Sequence, residues 1–212
     1  MLTVLNPRKG TDRSLDEASS AFWAHEALRR EVLELLPLLE DQVAHLHRPL
    51  QLLQPVPLQY HASYTREEIL AAFGASSVTA PLPLQAGVYW HEATRTHLLF
   101  VTLQKTEKDY SPTTRYLDYA ISDRLFHWET QGTTSADSER CRSYVEHESR
   151  GDRVALFVRS AKRDSYNRTA PYFSVGTASY VAHQSDRPVQ ITWKLHRRLP
   201  GEVFAAYRAA VG

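Results

Sequence analysis

A chain of 212 residues is long enough to bury a hydrophobic core, and it fits one domain with an appendage or two small domains. Its single cysteine excludes an internal disulfide, and no N-terminal apolar run has the length of a signal peptide or a membrane span, so we expect a cytoplasmic protein with no membrane contact. The net charge of +1 divides into −6 over residues 1–149 and +7 over residues 150–212, which favours an anionic partner for the second part.

The first 54 residues read as a flexible arm followed by a helical preface. Residues 1–13 contain Asn-Pro and Lys-Gly and show no apolar periodicity, which predicts a flexible arm. The sequence SLDE at residues 14–17 has the spacing of a capping box, so a helix should start there. Pro37 should kink this helix or split it into a hairpin. Apolar residues recur along one helical face at three- and four-residue spacing: Leu28, Val32, Leu35, Leu36, Leu39, Val43, Leu46 and Leu50.

Such an apolar face must be buried somewhere. It can pack on the rest of the chain, on a second copy in a homodimer formed through residues 14–54, or on another protein. The sequence leaves these alternatives open.

The remainder of the chain has sequence patterns typical of β-strands. The proline-containing QLLQPVPLQ predicts an extended linker, and a second capping box at residues 65–68 predicts a short helix that ends at Gly74. Six β-branched or aromatic runs follow: GVYW, HLLFVTL, LFHWET, RVALFVR, ASYVAH and VQITWKL. HLLFVTL and RVALFVR are apolar on both faces, which is typical of central strands. We predict an α+β protein, with a β-rich domain over residues 57–199 and a C-terminal helix over residues 200–212.

Several of these segments resemble one bacterial domain. They are VPLQYHASYTREEILAAFG (residues 56–74), residues 99–135 with EKDYSPTTRY and FHWETQ, and downstream GDRVALFVRSAKRD and DRPVQITWKL. The similar domain lies at the C-terminal end of large superfamily-2 helicases that also carry a phospholipase-D-type nuclease, in proteins that look like defence or restriction systems. The sequence contains no GxxxxGK[ST] loop and no paired nuclease motif, so neither ATP hydrolysis nor that cleavage is expected.

The resemblance implies a DNA-recognition domain that lacks the helicase and nuclease domains to which such domains are usually joined. Domains appended to restriction motors and nucleases usually select the DNA, and several resemble the PUA, EVE and SRA group of small barrels. The strand-rich sequence and the Gly-Asp that leads into RVALFV look like that group. We therefore expect a PUA- or SRA-like small barrel that reads modified double-stranded DNA.

An aromatic and polar cluster is the candidate pocket for the modified base. Aromatic faces can stack on an extruded base, and a carboxylate or amide can hydrogen-bond its edge. The ordinary alternative is that these aromatic residues simply pack in half-buried strands. The candidate pocket residues are Tyr110, Tyr116, Asp118, Tyr119, Phe126, Trp128 and Gln131.

Hydroxyl and basic residues near the same segments are candidates for contacts with the DNA backbone. Such groups suit phosphates, whose contacts position a protein without reading sequence. The alternative interpretation of SPTT is a solvated turn. The candidates are Lys105, Lys108, Ser111, Thr113, Thr114, Arg115, Arg159, Lys162, Arg163 and Arg168.

The histidines and the cysteine show no metal-binding or nucleophile signature, so we expect no metal, no cofactor and no catalytic residue. The preferred hypothesis is a non-catalytic, base-flipping reader of modified DNA, with 5-methylcytosine as its target. The alternatives are a protein-interaction module that docks onto a helicase or nuclease encoded elsewhere, and a cryptic modification-dependent nuclease.

Overall fold

The computed structural model describes residues 15–46, 48–77, 79–104 and 118–209. The helices in these ranges are α1 (Leu15–Ala24), α2 (Glu26–Leu46), α3 (Arg66–Ala72), α4 (Glu139–Val145) and α5 (Gly201–Ala209). The strands are β1 (Ser63–Tyr64), β2 (Val88–His91), β3 (Thr96–Thr102), β4 (Tyr119–Ala120), β5 (Leu125–Glu129), β6 (Arg153–Arg159), β7 (Tyr172–Gln184) and β8 (Gln190–Leu195).

One sheet organises the fold. Its strand order is β2-β3-β6-β7-β8-β5-β4, and β1 pairs with the start of β7. The β3–β6 pair is parallel, and the other pairs are antiparallel. Both strands of the parallel pair have neighbours on each side and are buried almost throughout, as their double-sided apolar sequences predict. The expected β-rich α+β class is confirmed.

The prediction of a small closed barrel is wrong. β2 and β4 end the sheet, and in the described part of the chain no ladder joins them. The β4–β5 ladder covers only two residue pairs, so it offers little edge for closure. The sheet is nevertheless curved. This is shown by the cavity, which residues of β2 and β3 line together with residues of β5. The result is an open, curved sheet with a cavity between its two halves.

Each face of the sheet carries its own hydrophobic core, because successive side chains of a strand point to opposite faces. Leu99 and Val101 of β3 join one cluster, which contains Trp128 and Trp193. Leu98 and Phe100 join the other cluster, and α3 packs there. The segment predicted as a linker also enters this second cluster, through Val56 and Leu58, and its neighbours Leu50 and Tyr60 do the same. Burial of these apolar side chains makes it part of the packed domain.

The helical preface is broken at His25, and the split predicted as one alternative at Pro37 is absent from the described helix. The helix is interrupted at His25 and continues through Pro37, which lies inside α2. Leu15, the first described residue, is already helical, and the predicted capping residue Ser14 lies outside the described residues. Leu28, Leu35 and Leu39 of the apolar stripe are exposed. No helix in the described ranges has the length and apolar character needed to cross a membrane.

Candidate functional site

A cavity of about 610 Å³ lies between the two halves of the curved sheet. Its wall combines the ends of the paired strands β3 and β6, where Thr102 lies opposite Arg159, with residues of β2 and β5. Five charged residues line it: Arg66, Arg159, Arg187, Asp118 and Glu129. Val88, Phe100, Val101 and Trp128 supply its apolar part. This mixture of apolar walls and a few polar groups is typical of small-molecule sites.

Two carboxylates form the acidic side of the cavity. Asp118 is only 5% exposed, and its Oδ1 accepts a hydrogen bond of 2.9 Å from the backbone N–H of Glu129. Asp118 directly precedes β4, and Glu129 is the last residue of the neighbouring strand β5. Oε1 of Glu129 accepts a hydrogen bond of 2.8 Å from the side-chain amide of Gln190. Because ionised carboxylates only accept hydrogen bonds, this side of the cavity suits a ligand that presents N–H groups.

Two arginines form the basic side, and both stack on Tyr172. The guanidinium of Arg66 lies 5.5 Å from the centre of that ring and donates to its hydroxyl at 2.7 Å. Arg66 also lies 4.9 Å from the centre of the Phe100 ring and donates to the carbonyl of Leu84. Arg159 lies 4.4 Å from the Tyr172 ring centre and donates to the hydroxyl of Thr102 at 3.0 Å. Stacking and hydrogen bonds thus hold two permanent charges in place, which suits an anionic group such as phosphate.

Trp128 and Gln131 were also predicted as base-pocket residues, and both line the cavity. Trp128 packs edge-on against Tyr144, with ring centres 5.4 Å apart, so it belongs to the core as well as to the wall. Oε1 of Gln131 accepts a hydrogen bond of 2.9 Å from Arg140. Gln131 also lines a neighbouring cavity of about 650 Å³, together with Trp90 and other residues.

The buried residue His97 also lines this neighbouring cavity. Its ring lies 4.4 Å from that of Trp90 and meets that of Tyr144 edge-on. Burial lowers the pKa of His97 to about 4, against a smaller opposing effect of Asp152. The imidazole is therefore neutral at pH 7. Among the described residues, Nε2 of His97 has no hydrogen-bond partner.

The cavity unites only some of the residues predicted from the sequence. Asp118, Trp128 and Gln131 of the candidate base pocket line it, and so does Arg159 of the candidate backbone contacts. Phe126 is fully buried in the core, and Tyr119 stacks on His127 with ring centres 4.7 Å apart, so neither lines the cavity.

The other predicted residues lie elsewhere. Lys162, Arg163 and Arg168 are exposed in the loop over residues 160–171, which follows Arg159. The remaining candidates fall outside the described residues: Lys105, Lys108, Tyr110, Ser111, Thr113, Thr114, Arg115 and Tyr116.

Sequence reasoning missed three charged residues of the cavity. Arg66 was noted only as part of a capping box, Glu129 only as part of a strand, and Arg187 only as part of the segment DRPVQITWKL. The clearest local signal was the Asp-Arg-Pro sequence, which marks a turn where an arginine can project. No local signal brings Arg66 to a cavity formed by strands later in the chain.

Cys141 and metal-binding clusters are not part of this cavity, as far as the described residues show. The described part of the chain contains no cluster of three His, Cys, Asp or Glu residues placed to hold a metal ion. Cys141 is buried, and burial followed by the charge of Asp186 raises the pKa of its thiol. The thiol is therefore protonated and covered at neutral pH.

A protein-family model matches the part of the chain that forms the sheet and the cavity. The model of a domain of unknown function, DUF3427, matches residues 58–207. No curated protein shows a significant match to the chain. The matched range includes all eight strands, helices α3 and α4, most of α5 and every residue that lines the cavity. The chain therefore belongs to the DUF3427 family.

Proposed function

We propose that the chain is a non-catalytic DNA-binding protein that holds an extruded, modified base in this cavity, with 5-methylcytosine as the preferred base. One observation carries the proposal. Asp118, Trp128 and Gln131, chosen from the sequence for base recognition, line a single cavity with Arg159, chosen for phosphate contact. Arg159 comes from a distant part of the chain and from the other half of the sheet.

The polar groups of the cavity suit the edge of cytosine. Cytosine presents an amino group at N4, whereas thymine presents a carbonyl oxygen at the equivalent position. The carboxylates of Asp118 and Glu129 can accept from an amino group but would repel a carbonyl oxygen. The methyl group at C5 adds apolar surface, and Val88, Val101 and Trp128 provide apolar contacts for it.

The basic groups suit the phosphates beside an extruded base. Arg66 and Arg159 lie in the cavity wall, and Lys162, Arg163 and Arg168 follow in the adjoining loop. Contacts with phosphates position a protein on DNA and make its affinity depend on salt. We therefore expect an affinity for all duplexes that falls with salt, and a smaller preference that depends on the base.

The test is a binding panel of three duplexes that differ at one base: 5-methylcytosine, cytosine or thymine. 5-Methylcytosine should bind about fourfold more tightly than cytosine, because burial of one methyl group contributes about 0.8 kcal/mol. Thymine carries the same methyl group, so its comparison with 5-methylcytosine in the same strands without a complement, where no T·G mismatch eases extrusion, measures recognition of the polar edge. Dissociation constants at two salt concentrations separate this preference from the phosphate contacts.

Asp118→Asn is the sharpest variant for this panel. The amide oxygen can still accept from Glu129 N–H, so the fold should survive, while the charged acceptor for the base is lost. The preference for 5-methylcytosine over thymine should fall about fivefold, because charge-assisted hydrogen bonds exceed neutral ones by about 1 kcal/mol. Asp123→Asn is the matched control, because that half-exposed carboxylate pairs with Arg198 and does not line the cavity.

Two results would contradict the proposal. Equal binding of the 5-methylcytosine and cytosine duplexes by the unmodified protein would exclude a methyl-reading pocket. Cleavage of the methylated duplex when Mg²⁺ is added would instead support the modification-dependent nuclease. Trp128→Ala is a poorer probe, since Trp128 also packs in the core and its loss would destabilise the fold.

The exposed leucines of α2 favour a second candidate function, a protein-interaction module. Leu28, Val32, Leu35 and Leu39 follow the 4-3-4 spacing by which two helices pair, and Leu35 is 52% exposed. This self-complementary pattern favours a second copy of the chain as the partner. A helicase or nuclease that acts in trans, as the resemblance to helicase-linked domains implies, would then bind the dimer.

Light scattering on the full chain tests this dimer. We expect a dimer mass at micromolar concentration and a monomer mass for the double variant Leu35→Glu, Leu39→Glu. Glu34→Gln, on the same helix but outside the stripe, serves as the control. A monomer mass for the unmodified chain at 100 µM would contradict self-association.

A further inference from the structure

One loop, called the braced loop because hydrogen bonds hold its shape, begins at the wall of the cavity. It spans residues 160–171 and connects β6 to β7. Arg159, the last residue of β6, lines the cavity and donates to the carbonyl of Ala170 at 3.2 Å, which ties the two ends of the loop together. The guanidinium of the same arginine stacks on Tyr172, the first residue of β7. The base of the loop is therefore part of the candidate site.

Hydrogen bonds within the loop fix the shape of its tip. Oδ1 of Asp164 accepts from the backbone N–H groups of Tyr166 and Arg168, at 2.9 Å each. The carbonyl of Asp164 accepts from the N–H of Asn167 at 3.0 Å. Asn167 has φ +59°, a conformation that asparagine tolerates better than most residues. Below the tip, Arg163 and Thr169 form an antiparallel bridge.

This fixed tip presents one aromatic side chain to solvent. Tyr166 is 78% exposed, and the guanidinium of Arg168 lies 5.0 Å from the centre of its ring. Lys162, Arg163 and Arg168 outnumber the single acidic residue of the loop, Asp164. Holding the loop backbone in one conformation costs conformational entropy. Burial of the Tyr166 ring does not compensate for this cost, because the ring is exposed. Such a ring is placed to stack on a partner, and its basic surroundings favour a nucleic acid.

We propose that Tyr166 inserts into the DNA duplex at the position left by the base held in the cavity, while Lys162, Arg163 and Arg168 contact the flanking phosphates. This inference rests on the proposed function. Extrusion of a base costs a few kcal/mol of lost stacking and pairing, and a stacked aromatic ring restores roughly 1–3 kcal/mol for each base it contacts. Each arm of the loop has about five residues and can extend about 15 Å beyond the cavity, enough to reach the base stack.

The test compares Tyr166→Ala with Tyr166→Phe on the same methylated strand, either paired with its complement or single-stranded. Tyr166→Ala should weaken binding of the duplex about tenfold and binding of the single strand less than twofold, because only the duplex has a gap to fill. Tyr166→Phe keeps the ring and should bind as the unmodified protein does. Asp164→Ala removes the bracing of the tip and also the ion pair with Arg168, so it should lower the ratio of duplex to single-strand affinity while overall affinity changes with the charge.

A fluorescent reporter gives an independent readout. 2-Aminopurine placed next to the methylated base should brighten when the unmodified protein extrudes that base, and brighten less with Tyr166→Ala. Equal affinity of Tyr166→Ala and the unmodified protein for the duplex would overturn the insertion. An equal loss on duplex and single strand would also overturn it, since Tyr166 would then be an ordinary stacking contact.

The same duplexes keep the two proposals separate. If the unmodified protein shows no preference for 5-methylcytosine over cytosine, that result contradicts the proposed function alone. The ratio of duplex to single-strand affinity decides the role of Tyr166, whatever base the cavity prefers. Because Tyr166 is exposed, the thermal midpoint of Tyr166→Ala should equal that of the unmodified protein, which excludes misfolding as the cause.

Discussion

Gly176→Ala is expected to destabilise the protein by about 3–5 kcal/mol, combining a strained backbone with a steric clash. Gly176 lies in β7 at a bulge opposite β6 and has φ +105°, which side chains rarely allow. A Cβ atom there would overlap the ring of Tyr60. That ring cannot move aside freely, because its hydroxyl bonds Thr177 at 2.6 Å and Arg197 stacks on its face. Tyr60 anchors residues 48–60 to the sheet, so the clash should loosen this segment.

Urea unfolding of Gly176→Ala beside Gly151→Ala measures the two contributions separately. Gly151 also has a positive φ, +74°, but an added Cβ would meet no atom within 4 Å. Its replacement should therefore cost only the backbone strain, about 1–2 kcal/mol. Equal losses for both variants would show that the Tyr60 ring yields, and that its packing on Gly176 is not a constraint on the fold.

The titration of His97 is expected to lower stability by about 2 kcal/mol between pH 7 and pH 4.5. His97 is 5% exposed, and burial lowers its pKa to about 4, below the usual value of about 6.5 in an unfolded chain. Between these two values the unfolded chain binds a proton that the folded protein does not. The stabilising contribution is thus complete above pH 6.5 and is lost as the pH falls towards 4.

His97→Phe isolates this effect. Phenylalanine preserves the ring contacts with Trp90 and Tyr144 but does not titrate. The stability difference between the two proteins should change by about 2 kcal/mol between pH 7 and pH 4.5, in favour of the variant at the lower pH. The other titratable groups are present in both proteins, so their effects largely cancel. A difference that is the same at both pH values would contradict the neutral, buried state of His97.

Local sequence patterns predicted most of the regular structure. All six predicted strands are present, because alternating or continuous runs of β-branched and aromatic residues have few other ways to be buried. The capping box at Thr65 forms as predicted, since its side-chain and backbone hydrogen bonds are all local. The two-residue strands β1 and β4 and the seven-residue helix α4 were missed. Elements so short carry too little periodicity to be recognised.

The candidate site was predicted only in part, for a related reason. Asp118, Trp128 and Gln131 lie within 14 residues of one another, so composition alone could group them. Arg66 and Arg187 reach the same cavity from positions 52 residues before Asp118 and 56 residues after Gln131. Phe126 is as close to them in the sequence and was grouped with them, but its strand position directs it into the core.

By itself, the sequence determined that this protein has a β-rich body with central strands HLLFVTL and RVALFVR, a capped helix at residue 66 and a helical preface. These features depend on side-chain periodicity and on hydrogen bonds between near neighbours. The tertiary structure alone decided that β3 and β6 pair in parallel, that the sheet curls without closing, and that residues 48–60 pack on it. It also placed the braced loop of Tyr166 beside the cavity. Such outcomes depend on contacts between residues far apart in the chain, which local patterns do not encode.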